Sequence, residues 1–227
     1  MTGGAPAFIV VEGPIGVGKT SLASRLGDAL GSSLLLEQPD ENPFLGRFYT
    51  DPVQAALPTQ LFFLFQRARQ FNELRQQDLF QPRRVADFMI DKDPLFARIT
   101  LQGEDLRIYE QVYAKVALDT PRPDLVVYLQ APPEVLMERV LRRARPVEEG
   151  ITLDYLDRVA AAYTDFFRSY TAAPLLVVDA ASINPLENDA ELKALLECIH
   201  GARRGRHFFN LHPAGLEVPP TLEHVAR

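Results

Sequence analysis

The chain is 227 residues long, 47% hydrophobic and 24% charged, which suits one α/β domain rather than two. Its 24 Lys+Arg stand against 30 Asp+Glu for a net charge of −6, which argues against a nucleic-acid scaffold or an anionic-membrane binder, since either needs a basic face. Cys198 is the single cysteine, so no disulfide framework is available, and at this length burial alone suffices.

The opening stretch MTGGAPAFIVVEG has no basic run, and its apolar segment is too short to span a bilayer. A soluble, cytoplasmic protein is expected. Short apolar runs bounded by turn residues predict five parallel strands, at Phe8–Val11, Leu34–Leu36, Arg84–Phe88, Leu125–Leu129 and Leu175–Val178. Helical patterns fall between them, at Ser21–Leu30, Ala56–Gln77, Glu104–Leu118, Pro133–Arg143 and Thr152–Tyr170, with a last one at Asn188–Cys198. Strand and helix in alternation predict an α/β fold, a five-stranded parallel sheet with helices on both faces. Residues 1–200 are expected to form that domain, and 201–227, with three prolines and no period, an irregular extension.

The strongest local signal is Gly13-Pro14-Ile15-Gly16-Val17-Gly18-Lys19-Thr20, a full G-x-x-x-x-G-K-[ST] between a strand and a helix. Glycines let backbone N–H groups converge on phosphate oxygens, and the following helix adds its dipole. Lys19 supplies a point charge to the β- and γ-phosphates of ATP, and the Thr20 hydroxyl is a ligand for Mg²⁺. The loop by itself names no reaction. A GTPase would need N-K-x-D, and the nearest stretch, Asp91-Lys92-Asp93-Pro94, fails at its first and last positions.

All four histidines lie at or after residue 200, so a general base before them must be a carboxylate, a lysine or a tyrosine. After the fourth strand Arg139, Arg142, Arg143 and Arg145 crowd together. Such a cluster either complements the end of its own helix or surrounds an anion. Beside a phosphate loop the second reading, a lid over the phosphates, is favoured.

With these motifs in order, the chain resembles the deoxynucleoside kinase family from about Phe8 to Leu195, in particular its bacterial deoxyadenosine and deoxyguanosine branch. Val11-Glu12-Gly13 is similar to the family's start, and Glu37 ends the second strand where the family has its general base. Here Gln38 separates that glutamate from Pro39. Asn42-Pro43-Phe44-Leu45 and Phe48-Tyr49 resemble the bacterial segment whose tyrosine touches the sugar. Gln60 and Arg67, seven residues apart and so on one helix face, match the residues that read the base. An amide offers donor and acceptor together, which suits a base edge.

The resemblance further implies that Arg139, Arg143 and Arg145 face the phosphates and that Glu148 meets the sugar. Asn188, Asp189 and Glu191 fall where relatives enclose the adenine of ATP, which makes Asp189 a cofactor contact. The third strand departs from the family, because Val85-Ala86-Asp87-Phe88 lacks the arginine that follows the acid in relatives. Counted without a gap, Asp87 takes that arginine's place and Lys92 that of a base-contacting acid. A one-residue shift makes Asp87 the acid, a substrate-side residue and Mg²⁺ ligand, with Lys92 standing in for the missing charge.

The activity implied is transfer of the ATP γ-phosphate to the 5′-hydroxyl of a deoxynucleoside, a purine one by its bacterial features, with Glu37 as base. A homodimer is implied as well. The alternatives are a monophosphate kinase of the thymidylate kinase type and a nucleotide-sensing subunit with little turnover.

Overall fold

A computed structural model describes residues 6–77, 83–117 and 120–209. The chain begins with β1 (Phe8–Glu12), the phosphate loop and α1 (Lys19–Leu30), then β2 (Ser33–Leu35). A short α2 (Leu45–Thr50) and the long α3 (Pro52–Gln77) lead to β3 (Arg84–Ala86). After them come α4 (Asp93–Thr100), α5 (Gly103–Val116), β4 (Leu125–Gln130), α6 (Pro133–Arg143) and α7 (Leu153–Ser169). The described chain closes with β5 (Leu175–Asp179), α8 (Asp189–Gly201) and β6 (Arg206–Phe209).

The described strands form one sheet in the order β2-β3-β1-β4-β5-β6, and every neighbouring pair is parallel. The expected sheet is present, with one strand more than expected. β6 lies in the stretch read as an irregular extension, where Leu175–Val178 pair with Arg206–Phe209. As an edge strand it needs one buried face only, so its sequence, RHFF, has no apolar run to announce it. Residues 210–227, the rest of that expected extension, lie outside the described residues.

The central strands β1, β4 and β5 are continuous buried runs, as in a parallel sheet covered on both faces. Their Val10, Val11, Val126, Val127 and Val178 are fully buried. The helices are bounded by local signals. Pro133 opens α6, Thr152 caps α7 by accepting from the Tyr155 N–H, and Asn188 caps α8 by accepting from Ala190 and Glu191. Asn188 is thus the residue before the last helix rather than its first. α3 begins four residues ahead of its predicted start, at Pro52, and carries Pro58 inside it. The carbonyl that Pro58 leaves without a donor belongs to Gln54, which is exposed to water.

Strand order places the crossing point of the topology between β1 and β4, above whose carboxyl ends ligands bind in open α/β sheets. The phosphate loop leaves β1 there. Glu37, Asp87 and α6 follow β2, β3 and β4 at the same edge.

Candidate active site

Gly13 leaves β1 at φ 151° and Gly16 sits at φ 83°. A Cβ on Gly13 would come within 2.4 Å of the Leu129 carbonyl, and one on Gly16 within 2.7 Å of the Leu136 carbonyl. Both obstacles are backbone atoms of β4 and α6, so the loop passes where only glycine passes. Gly13→Ala is expected to lower Tm by several degrees and to weaken ATP binding at least tenfold, measurable by thermal shift and by titration with a non-hydrolysable analogue.

Inside this loop Lys19 Nζ donates to the carbonyls of Gly13 (2.8 Å) and Pro14 (3.1 Å). Burial, helped by the positive charge of Lys92, lowers Lys19 to about 8. At about 8 the ammonium still predominates at neutral pH, and a bound anion would favour it further. Thr20 Oγ1 donates to Asp87 Oδ2 over 2.5 Å, and Asp87 Oδ1 accepts the Glu37 N–H at 2.7 Å. The end of β3 therefore ties the phosphate loop to the end of β2. Burial raises Asp87 above the usual carboxylate range, against its hydrogen bonds. A hydroxyl and a carboxylate this close, both oxygen donors, fit a Mg²⁺ ion that would offset that burial.

One pocket opens from Lys19 and Thr20 toward α3. Glu37, Tyr49, Gln60, Arg67 and Lys92 line it, and so do Arg143, Arg145 and Glu148. Aromatic rings complete the wall, with Phe63 under the Arg67 guanidinium at 5.0 Å and Tyr155 edge-on to Tyr49 at 5.8 Å. The pocket thus brings together Glu37, Tyr49, Gln60, Arg67, Asp87 and Glu148, scattered along the sequence from residue 37 to 148. The Gln60 amide donates to Thr100 Oγ1 at 3.3 Å.

Charge inside this pocket is concentrated. Arg67 is buried and gives Nε (2.8 Å) and Nη2 to Glu37 and Nη1 to Asp93. Burial alone would raise Glu37, but Arg67, Lys92 and Lys19 outweigh it and hold Glu37 at about 2. Asp93 goes the other way: burial lifts it to about 7 despite Arg67 and Lys92, and its Oδ2 has no hydrogen-bond partner. Arg67 must serve two carboxylates at once, and Asp93 is the one left under-satisfied.

A second groove runs on the other side of the loop. Gly16, Gly18 and Ser21 line it, together with Arg139, Arg142, Asn184 and Glu191. Arg139 spans it, donating to the carbonyls of Val17 (3.1 Å) and Ala180 (2.7 Å). Arg143 lines both cavities and grips Glu148 with two bonds, at 3.2 and 2.5 Å. Between Arg143 and Arg145 the backbone turns through Ala144 at φ 51°, a left-handed conformation that costs a residue with Cβ on the order of 1 kcal/mol. That turn sends Arg145 into the acceptor-side pocket.

Asp189, expected at the cofactor, has a side chain 88% exposed that pairs with Arg25 on α1. As the first residue of α8 it complements the helix dipole. Glu191 lines the groove, accepting the Asn184 N–H at 2.6 Å. Lys92 pairs with Glu12 and Glu37, which does not suit the place of a base-contacting acid. The shift that makes Asp87 the acid carries Asp93 to that place, six residues on, and Asp93 is the residue that meets Arg67. Glu12, noticed only as part of a motif, is a buried acceptor for Gly13, Met89 and Tyr163 and forms an ion pair with Lys92.

A model of the deoxynucleoside kinase family matches residues 9–200. The deoxyguanosine kinase of Bacillus subtilis is 34% identical over 157 residues, covering 69% of this chain and 76% of that protein. The deoxyadenosine kinase of Lactobacillus acidophilus is 28% identical over 203 residues, 83% of this chain and 93% of its own. A solved deoxyadenosine kinase from M. mycoides, with dCMP and dCDP bound, superposes with a TM-score of 0.75 over 86% of this chain and 99% of its own, at 22% identity. The fold, the phosphate loop between β1 and α1, and a family match spanning most of the chain agree, and this protein belongs to the deoxynucleoside kinase family.

Proposed function

We propose that this deoxynucleoside kinase transfers the γ-phosphate of ATP to the 5′-hydroxyl of a purine deoxynucleoside. The observation that carries the reading is that Glu37 lines one pocket together with Lys19 and Thr20 of the phosphate loop and with Gln60 and Arg67 of α3. An acceptor with its base at Gln60 and Arg67 has its 5′-hydroxyl at Glu37, beside the phosphate loop. Tyr49 and Glu148 flank the sugar. The donor lies across the loop, with its base in the second groove near Asn184 and Glu191. Similarity to deoxyguanosine and deoxyadenosine kinases supports a purine acceptor.

In the transfer the 5′-oxygen attacks the γ-phosphorus, the bond to the leaving ADP oxygen breaks, and the hydroxyl proton passes to a Glu37 oxygen. A carboxylate this weakly basic takes the proton once the new O–P bond has made the hydroxyl acidic, which suits a loose transition state. Lys19, with Arg139, Arg143 and Arg145, holds the negative charge of the transferring group. To do so Arg139 exchanges two carbonyls for phosphate oxygens, and Arg143 shares itself between Glu148 and the phosphate. Thr20 and Asp87 would hold Mg²⁺, which would supply charge neutralisation to the triphosphate.

We read the protein as a cytoplasmic homodimer, a single kinase domain whose sheet runs on through β6. Among the described residues no helix is long and apolar enough to cross a membrane. The exposed Phe65 on α3 and Ile108 on α5 suit a contact through the helices flanking the acceptor pocket. Initial rates with ATP and each of the four deoxynucleosides test the reading. Deoxyguanosine or deoxyadenosine is expected to give the highest kcat/KM, and a preference for thymidine would overturn the purine assignment.

A further inference from the structure

The third strand of this chain lacks the arginine that the family pattern places beside its acid, yet the site holds a cation there. Lys92 ends the 3₁₀ turn Ile90–Lys92 and leads into α4. It is 1% exposed, and its Nζ lies 3.1 Å from Glu12 Oε1 and 3.5 Å from Glu37 Oε1. The sequence marks it only as a stand-in for that missing charge, and the transfer described above gives it no task. A buried ammonium between two carboxylates is costly to keep unless both are needed.

The two carboxylates differ in what holds them. Glu12 is fully buried, and besides its ion pair with Lys92 it accepts from the N–H of Gly13 (2.9 Å), the N–H of Met89 (3.0 Å) and the Tyr163 hydroxyl (3.0 Å). Those partners come from the phosphate loop, the turn after β3 and α7, so Glu12 is a fixed anchor. Glu37 is more exposed, with a side chain 17% accessible, and its carboxylate is held by Arg67 and Lys92 alone among the ion pairs of the described residues. Arg67 is the partner an acceptor base competes for, since it lines the same pocket beside Gln60 and already divides itself with Asp93.

The geometry points to Lys92 as a positioning residue that ties Glu37 to Glu12, and so to the phosphate loop, and stays on Glu37 when the acceptor base engages Arg67. The inference rests on Glu37 being the proton acceptor. Without Lys92, Glu37 follows Arg67 toward the base and away from the 5′-hydroxyl. The loss then falls on the chemical step, because the triphosphate is held by the loop and the base by Gln60 and Arg67.

The test is a double-mutant cycle on the intact protein, with kcat and KM for ATP and for the preferred deoxynucleoside. Lys92→Met is expected to lower kcat about 10- to 100-fold with both KM values within about threefold of the parent. In a Glu37→Gln background the same change should cost less than about threefold, because residues acting as one unit are not additive. Lys92→Arg should recover much of the lost kcat. Equal factors in both backgrounds, or a loss confined to KM, would overturn the inference. Should Lys92→Met fail to fold, Lys92→Gln takes its place in the cycle under the same criteria. A Glu37→Gln variant that keeps its kcat would instead remove Glu37 as the base, whatever Lys92 does.

Discussion

Glu37→Gln is expected to lower kcat about 10²- to 10⁴-fold while the KM for the deoxynucleoside changes little. Glutamine has the shape of glutamate and can still accept from Arg67, so the wall of the pocket persists. What disappears is the atom that takes the 5′-hydroxyl proton. Since Arg67, Lys92 and Lys19 hold Glu37 at about 2, it remains ionised across the working range, and no rate limb near pH 4 to 5 in kcat/KM belongs to it. A monophosphate kinase would lose far less from the same change. Steady-state kinetics of the variant decide the point, and a loss below about fivefold would remove Glu37 from the proton transfer.

Arg67→Met should give the largest loss of stability, about 3–5 kcal/mol, because it leaves Asp93 and Glu37 without the cation buried between them. The deficit also depends on pH. Asp93 already has a folded pKa of about 7, and the variant pushes it higher. A carboxyl whose folded pKa lies above its unfolded one takes stability away as pH rises between the two values. The parent stops losing from this source near pH 7, whereas the variant goes on losing above it. Urea unfolding at pH 6 and pH 8 should therefore show the larger deficit at pH 8. Adding Asp93→Asn should return part of it, since the uncompensated charge is then gone. A variant as stable as the parent at both pH values would mean that the pair does not hold the acceptor wall.

Much of this was legible in the residues themselves, for identifiable reasons. β1, β4 and β5 fall within one residue of their predicted ends, because strands buried on both faces are continuous apolar runs. The phosphate loop has fixed spacing and a fixed context, so it is found without any tertiary knowledge. The family resemblance singles out Gln60 and Arg67, their seven-residue spacing puts them on one helix face, and both line one pocket. β6 was missed because an edge strand alternates a single buried face over four residues, too few for a pattern. At Asp189 an acid just after a cap also serves the helix dipole, and spacing cannot separate that from ligand contact.

The network around Glu12, Lys92 and Asp93 was out of reach for a deeper reason. Its pairs join residues from β1, β2, α3 and the segment after β3, and a buried pairing between distant elements leaves no local period. The hints were the missing arginine of the third strand, which Lys92 could replace, and the two acids and a lysine within Asp91-Lys92-Asp93 just after a strand. Read alone that triplet looks like a solvated turn. In the fold Lys92 and Asp93 are buried, and only the tertiary arrangement says which carboxylate each cation serves.

The most direct test offers deoxyguanosine and dTMP together to the enzyme with γ-labelled ATP and separates the labelled products. The account predicts labelled dGMP, with the phosphate on the 5′-oxygen, and no labelled dTDP. Labelled dTDP without dGMP would contradict it, because the acceptor would then carry its own phosphate into the pocket and the role given to Glu37 would be wrong.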